Sequence, residues 1–260
     1  MGLDDAFANA AYIPDGDSYP AKWTAAAASF RAQSVAELGL PYGESARQCV
    51  DLFHPPRLSR GLLVFVHGGY WLRFDKSFWS HLAAGPLAEG WTVAMPSYDL
   101  CPDVRISEIG QQIDKAITYA AARIQGPIRL AGHSAGGQLV ARAAVARPGQ
   151  RWQDRLEKVV PISAVTDLAP LMETAMNADL RIDAAEAESE SPVNMPAPRC
   201  PVTVWVGADE RPVFLEQSAA LAQAWNCKEV VVPDHHHFSV IEDLADPASA
   251  LTQEIIAPLP

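Results

Sequence analysis

Between the apolar run Ile128-Arg129-Leu130-Ala131 and an Ala-rich helical pattern from Ala135 stand only Gly132-His133-Ser134. The pentapeptide Gly132-His133-Ser134-Ala135-Gly136 thus straddles a strand-to-helix turn, and the residue at its apex must adopt a strained backbone. Side chains two positions before and two after that apex would clash, and glycine stands at both. Such a turn lifts Ser134 Oγ above a sheet. It also aims the N–H of Ala135, at a helix N-terminus, toward an incoming oxyanion. Strand, nucleophile and helix are predicted in that order.

The rest of the chain from about residue 48 repeats the alternation. Cys49–Phe53 reads as a half-buried strand that Pro55-Pro56 ends. Apolar runs follow at 62–66, 92–95, 128–131, 159–162, 202–206 and 230–232, mostly without polar alternation. Strands covered on both faces of a parallel sheet read this way. Helical spacing connects them at 78–87, 106–122, 135–146 (closed by Pro148-Gly149) and 214–225. With right-handed crossovers this order gives one α/β domain over residues 1–260, a doubly wound, mostly parallel sheet with helices on both faces. A length of 260 residues suits one such domain.

Two segments stand outside the alternation. Residues 1–47 carry scattered aromatics (Tyr12, Tyr19, Trp23, Phe30, Tyr42) and are expected to wrap the sheet as a helical arm. Residues 166–199 are acidic and interrupted by proline. They read either as a solvated helical crossover or as a lid at the carboxyl edge of the sheet.

Charge narrows the partners. Twenty Lys and Arg against 31 Asp and Glu give −11 at pH 7. Nucleic acid and an anionic membrane surface both need clustered cations, so neither is expected, and a small-molecule substrate is. The four cysteines at 49, 101, 200 and 227 lack CxxC spacing and read as reduced thiols. With no basic-then-apolar leader at Met1-Gly2-Leu3 and no apolar run of about 18 residues, a cytoplasmic location is expected. Oligomeric state is not legible.

His67-Gly68-Gly69-Tyr70-Trp71 follows the run 62–66 directly. Its glycines would let backbone approach Ser134, so that Gly69 and Tyr70 join Ala135 as oxyanion donors, while His67 braces the loop. A nucleophilic serine also needs an acid and a base later in the chain. Gly207-Ala208-Asp209-Glu210 ends a strand, which puts Asp209 at the same sheet edge and turns Glu210 away if Asp209 faces inward. The base must come from His235-His236-His237. Consecutive residues of an extended chain point to alternate sides and cannot share one ion, so no metal is expected. A capping box at Ser239-Val240-Ile241-Glu242 predicts a helix start there and leaves His237 as the last loop imidazole, with His235 and His236 as alternatives.

From Tyr42 to about Leu244 the sequence resembles the α/β-hydrolase fold, and more narrowly the arylformamidase (kynurenine formamidase) group of esterase- and lipase-like enzymes. The resemblance rests on His67-Gly68-Gly69-Tyr70-Trp71, Ser97-Tyr98-Asp99-Leu100-Cys101-Pro102, Gly132–Gly136, Ser191-Pro192 and His237-Phe238. Gly137-Gln138 departs from the Ala-His pair common in the group. The resemblance implies a cofactor-free serine hydrolase with a Ser134–His237–Asp209 triad, cleaving an aryl formamide such as N-formylkynurenine or a small-acyl ester. Trp71 and Phe74, beside Tyr70, are expected to wall a narrow acyl pocket. A general short-chain carboxylesterase is the nearest alternative; a non-catalytic binding protein of the same fold is the alternative of another class.

Overall fold

The computed structural model describes residues 2–145 and 149–258. Eight strands form one sheet: β1 (Ala36–Pro41), β2 (Cys49–Phe53), β3 (Leu62–Val66), β4 (Thr92–Pro96), β5 (Ile128–His133), β6 (Leu156–Ile162), β7 (Thr203–Gly207) and β8 (Lys228–Val232). Their spatial order is β1-β2-β4-β3-β5-β6-β7-β8. β2 runs antiparallel to both β1 and β4, and every later pairing is parallel.

The continuous apolar runs are explained by burial on both faces. In β3, Leu62, Val64 and Val66 enter one core layer while Leu63 and Phe65 enter the other. The first layer holds the helices Ile106–Arg123, Ala135–Ala144 and Pro212–Trp225. Opposite lie Trp23, from the helix Tyr19–Gln33, and Leu251 and Ile255 from Ala250–Ile256. Register then sets the site. Val66 pairs with Gly132 and His133 with Ile162, so the loops leaving β3, β5 and β6 emerge side by side.

Three expectations need adjustment. The arm contains a strand, β1, which no β-branched or aromatic residue announces in Ala-Glu-Leu-Gly-Leu-Pro; it lies largely exposed at the sheet edge. The helix expected over 78–87 is broken into the turns Lys76–Phe78 and Ser80–Ala83 and the helix Ala84–Ala88. Helix Ala135–Ala144 is as expected, but Ala146 and Pro148, offered as its end, lie outside the described residues.

The segment 166–199 folds as short turns and helices, the longest being Ala184–Glu190. Ion pairs hold it down. Arg142 of the helix Ala135–Ala144 bonds both Glu190 and Asp114, the latter at 2.9 Å, and Glu186 receives Arg105 at 2.8 Å. No helix among the described residues is long and apolar enough to cross a membrane.

Candidate active site

Ser134 sits at the apex of the turn from β5, with φ 55° and ψ −118°. This is a costly conformation for a residue with a side chain. The flanking glycines are sterically required: a Cβ on Gly132 would stand 2.2 Å from the Gly136 carbonyl oxygen, and one on Gly136 would stand 2.1 Å from that of Val66. The Ser134 N–H donates to the Ile162 carbonyl at 2.8 Å, which pins the apex to the end of β6.

The loop after β3 lies against it. A Cβ on Gly68 would come within 2.9 Å of Ser134 Cβ, so only glycine permits the approach. Gly69, Tyr70 and Trp71 follow with φ of 114°, 53° and 56°. A backbone curled in this way can gather successive N–H groups around an anion. Among the described residues, no group accepts a hydrogen bond from the N–H of Gly69, Tyr70 or Ala135. His67 is buried flat between Tyr98 (ring centroids 4.4 Å apart) and Trp79 (5.5 Å), with Nδ1 2.8 Å from the Gly68 carbonyl. Burial pushes its pKa down to about 4, so it is a neutral brace at ordinary pH.

The carboxylate that meets His237 is not the one expected. Asp209 is exposed, and its N–H donates to the His235 carbonyl at 2.9 Å. The carboxylate beside His237 is that of Glu210, with Oε2 2.6 Å from Nδ1. Glu210 is buried, and its other oxygen accepts from the Gly207 N–H at 2.8 Å and from the Ser163 hydroxyl. The chain turns at Gly207–Glu210, so the alternation of an extended strand does not apply there. The longer side chain then folds back onto the start of the turn. The sequence did carry a signal for this, a second carboxylate next to the first.

The three histidines separate as their spacing required. His235 approaches Asp243 at 3.6 Å, His236 meets the Tyr19 hydroxyl at 3.1 Å, and His237 meets Glu210. The N–H groups of Phe238 and Ser239 both donate to His236 Nδ1, so the turn Ser239–Ala245, a 3-10 helix, starts on His236 rather than on a Ser239 capping box. Phe214 rather than Phe238 is the closer ring against His237, at 4.3 Å compared with 6.0 Å. His133 Nε2 donates to the His237 carbonyl at 2.8 Å. Burial, reinforced by the neighbouring His237, holds the His133 pKa well below its usual value.

Ser134 and His237 line one cavity of about 560 Å³. Phe74 lines it as expected, and so does Tyr70, whose hydroxyl donates to the Phe7 carbonyl at 2.7 Å. Trp71 does not. It is fully buried in the core. The remaining wall was not anticipated: Phe7, Asn9 and Trp23 of the arm and Trp79 after β3 contribute to it, whereas residues 166–199 contribute Met176. Trp23 packs at 5.3 Å on Trp79 and 5.2 Å on Phe238, and so carries the arm onto the site.

A family model described as the alpha/beta hydrolase fold matches residues 63–237, which takes in the β3 loop, the serine turn and His237. The chain belongs to the α/β-hydrolase family. This hydrolase is 31% identical over 230 residues to the kynurenine formamidase of Drosophila melanogaster, covering 79% of this chain and 76% of the relative. It is 28% identical to that of Salmo salar over 247 residues, 87% and 83% of the two chains. A crystal structure from Silicibacter sp. TM1040, provisionally named a thioesterase, is 54% identical, with a TM-score of 0.95 over 98% of this chain and 99% of that one. Esterase B of Lactobacillus rhamnosis shares the fold at 18% identity, TM-score 0.66, over 92% and 90%.

Proposed function

We propose that this hydrolase cleaves aryl formamides and small-acyl esters through Ser134, His237 and Glu210. The 2.6 Å bond between Glu210 and His237 carries the reading, because it leaves the other ring nitrogen for a serine that lines the same cavity. Ser134 Oγ attacks the carbonyl carbon as its proton passes to His237 Nε2, and Glu210 steadies the imidazolium. The oxyanion is held by the N–H groups of Gly69, Tyr70 and Ala135. Collapse returns the proton from His237 to the leaving nitrogen or oxygen. Water then gives its proton to His237 and attacks the acyl-serine, releasing the acid, formate in the case of a formamide, and restoring Ser134.

The formamide preference is supported by the kynurenine formamidase relatives and by the aromatic wall of Phe74, Trp79 and Trp23, on which an aryl leaving group can stack. The 54% identical relative favours a second reading, thioester hydrolysis by the same residues. Comparing kcat/KM for N-formylkynurenine, phenyl acetate and a short acyl thioester ranks these readings. Fluorophosphonate labelling of Ser134, lost in Ser134→Ala, tests the nucleophile. Absence of labelling together with turnover of none of the three substrates would sink the hydrolytic reading in favour of a binding protein.

A further inference from the structure

The lining of the cavity is mixed in a way that the chemistry of formamide cleavage does not require. Ser134 and His237 stand with aromatic rings, yet the same cavity is also lined by Arg73, Asp4 and Asp17, all exposed to solvent. Arg73 provides its one guanidinium, and no lysine lines it. Among the described residues Arg73 has no ion pair or hydrogen-bonded side-chain partner; its guanidinium lies 5.9 Å from the ring centre of Phe74. Three arginines of this acidic chain show the contrast: Arg105 is committed to Asp183 and Glu186, Arg142 to Asp114 and Glu190, and Arg211 to Asp5. An uncommitted guanidinium at the edge of an aromatic cavity is a fork suited to a carboxylate. With a net charge of −11, the protein as a whole repels anions, so a local cation at this wall has a selective consequence.

The geometry points to Arg73 as a specificity-determining residue that holds the carboxylate of an α-amino acid carried on the leaving group, with Asp17 facing its ammonium. Asp4 is partly engaged, accepting from the Ala175 N–H at 2.6 Å, which leaves Asp17 the freer carboxylate. A zwitterion satisfies both signs on the wall, while a neutral aryl formamide uses only the rings. This inference rests on the formamidase reading and adds to it a choice among formamides.

The test compares N-formylkynurenine with its α-carboxamide, which keeps the aryl formamide and loses the anion, and uses formanilide as the neutral reference. In the wild type kcat/KM should favour the carboxylate over the carboxamide by about fivefold, mainly through KM, as a charge-assisted contact at an exposed site allows. Arg73→Gln should bring that ratio close to one, Arg73→Lys should keep part of it, and Arg151→Gln, an exposed arginine remote from the cavity, should leave it unchanged. Added salt should shrink the wild-type ratio. A wild-type ratio near one, or an Arg73→Gln variant that retains the full ratio, overturns the inference while formanilide turnover still upholds the hydrolytic reading. No turnover of any formamide would instead remove the reading on which it stands.

Discussion

The N-terminal arm and the segment 166–199 are both additions to the alternating sheet, and they differ in what they add to the apolar contacts that both make. The arm adds aromatic rings, with Trp23 against Trp79 and Phe238 and Phe7 against Phe214, alongside the ion pair of Asp5 with Arg211. The later segment buries Leu168, Leu171, Leu180 and Ile182 in the core and adds charge, with Glu190 on buried Arg142 and Glu186 on Arg105. The arm walls the cavity at Phe7, Asn9 and Trp23; the segment reaches it at Met176. Position in the sequence therefore does not decide which addition shapes the site. The apolar side chains of the arm are free to face a ligand, while the carboxylates of the segment are occupied in anchoring it.

Both additions should be measured against a loss of chemistry in the strand-end loops, where the largest effect is expected. On the proposed mechanism Glu210→Gln keeps the shape but removes the charge beside His237, and kcat/KM should fall by about 10⁴, as for the equivalent change in other triads. Asp209→Asn should stay within about threefold of wild type. Steady-state kinetics on one aryl formamide checks both, and the reverse order would return the acid to Asp209.

The next effect belongs to the charged anchor. Arg142→Met removes the guanidinium that Asp114 and Glu190 share, both of them under a tenth exposed. Breaking such an arrangement costs about 3–5 kcal/mol. Denaturant unfolding should show that loss, while kcat/KM per folded molecule stays near wild type because none of the three residues lines the cavity. The arm should behave differently. Trp23→Leu removes ring contacts with both Trp79 and Phe238, costing about 2 kcal/mol by loss of packed volume. It should also raise KM several-fold, since the same ring forms cavity wall. A KM unchanged by Trp23→Leu would dissolve the contrast between the two additions.

How much of this was legible follows from the same contrast. Seven strands announced themselves, five of them, β3 to β7, because burial on both faces leaves continuous apolar runs, and the serine turn did so because its steric conditions demand glycine at two fixed positions. His237 was singled out by its place at the end of a loop, and it is the histidine that meets Glu210 and lines the cavity. Asp209 was preferred over Glu210 because periodicity was carried one turn too far, past Gly207, where the backbone ceases to be extended. Trp71 was given to the cavity because the direction of a side chain in a loop leaves no trace in residue type. The wall contributed by the arm was hardest to see: aromatic residues scattered through 1–47 show that something is covered but carry no period to say what.

The smallest of the expected effects is a pH dependence that acts on the seat of the arm. His67 lies beneath Trp79, on which Trp23 of the arm rests, and His81 lies near Arg31 of the arm helix. Burial lowers both pKa values to about 4, with the Arg31 charge adding to the effect at His81. In the unfolded chain each would titrate near 6.5. Between 6.5 and 4 the unfolded state therefore binds more protons than the folded one, and stability must fall as pH falls through that window. It is fully present above 6.5. For fully buried His67 the loss between pH 7 and 5.5 is about 1 kcal/mol, from roughly 1.4 kcal/mol per pH unit once the unfolded imidazole is protonated. Urea unfolding at the two pH values, in wild type and in His67→Gln, reads the contribution directly. The variant should be less stable at pH 7 yet lose less on acidification. Equal acid sensitivity in the two proteins would show that His67 is not the group being titrated. In Trp23→Leu, where water gains access to Trp79 and His67, the acid slope should shallow as well, whereas in Arg142→Met the part of the slope due to His67 should persist. That difference would tie the neutral histidine to the arm and not to the charged anchor.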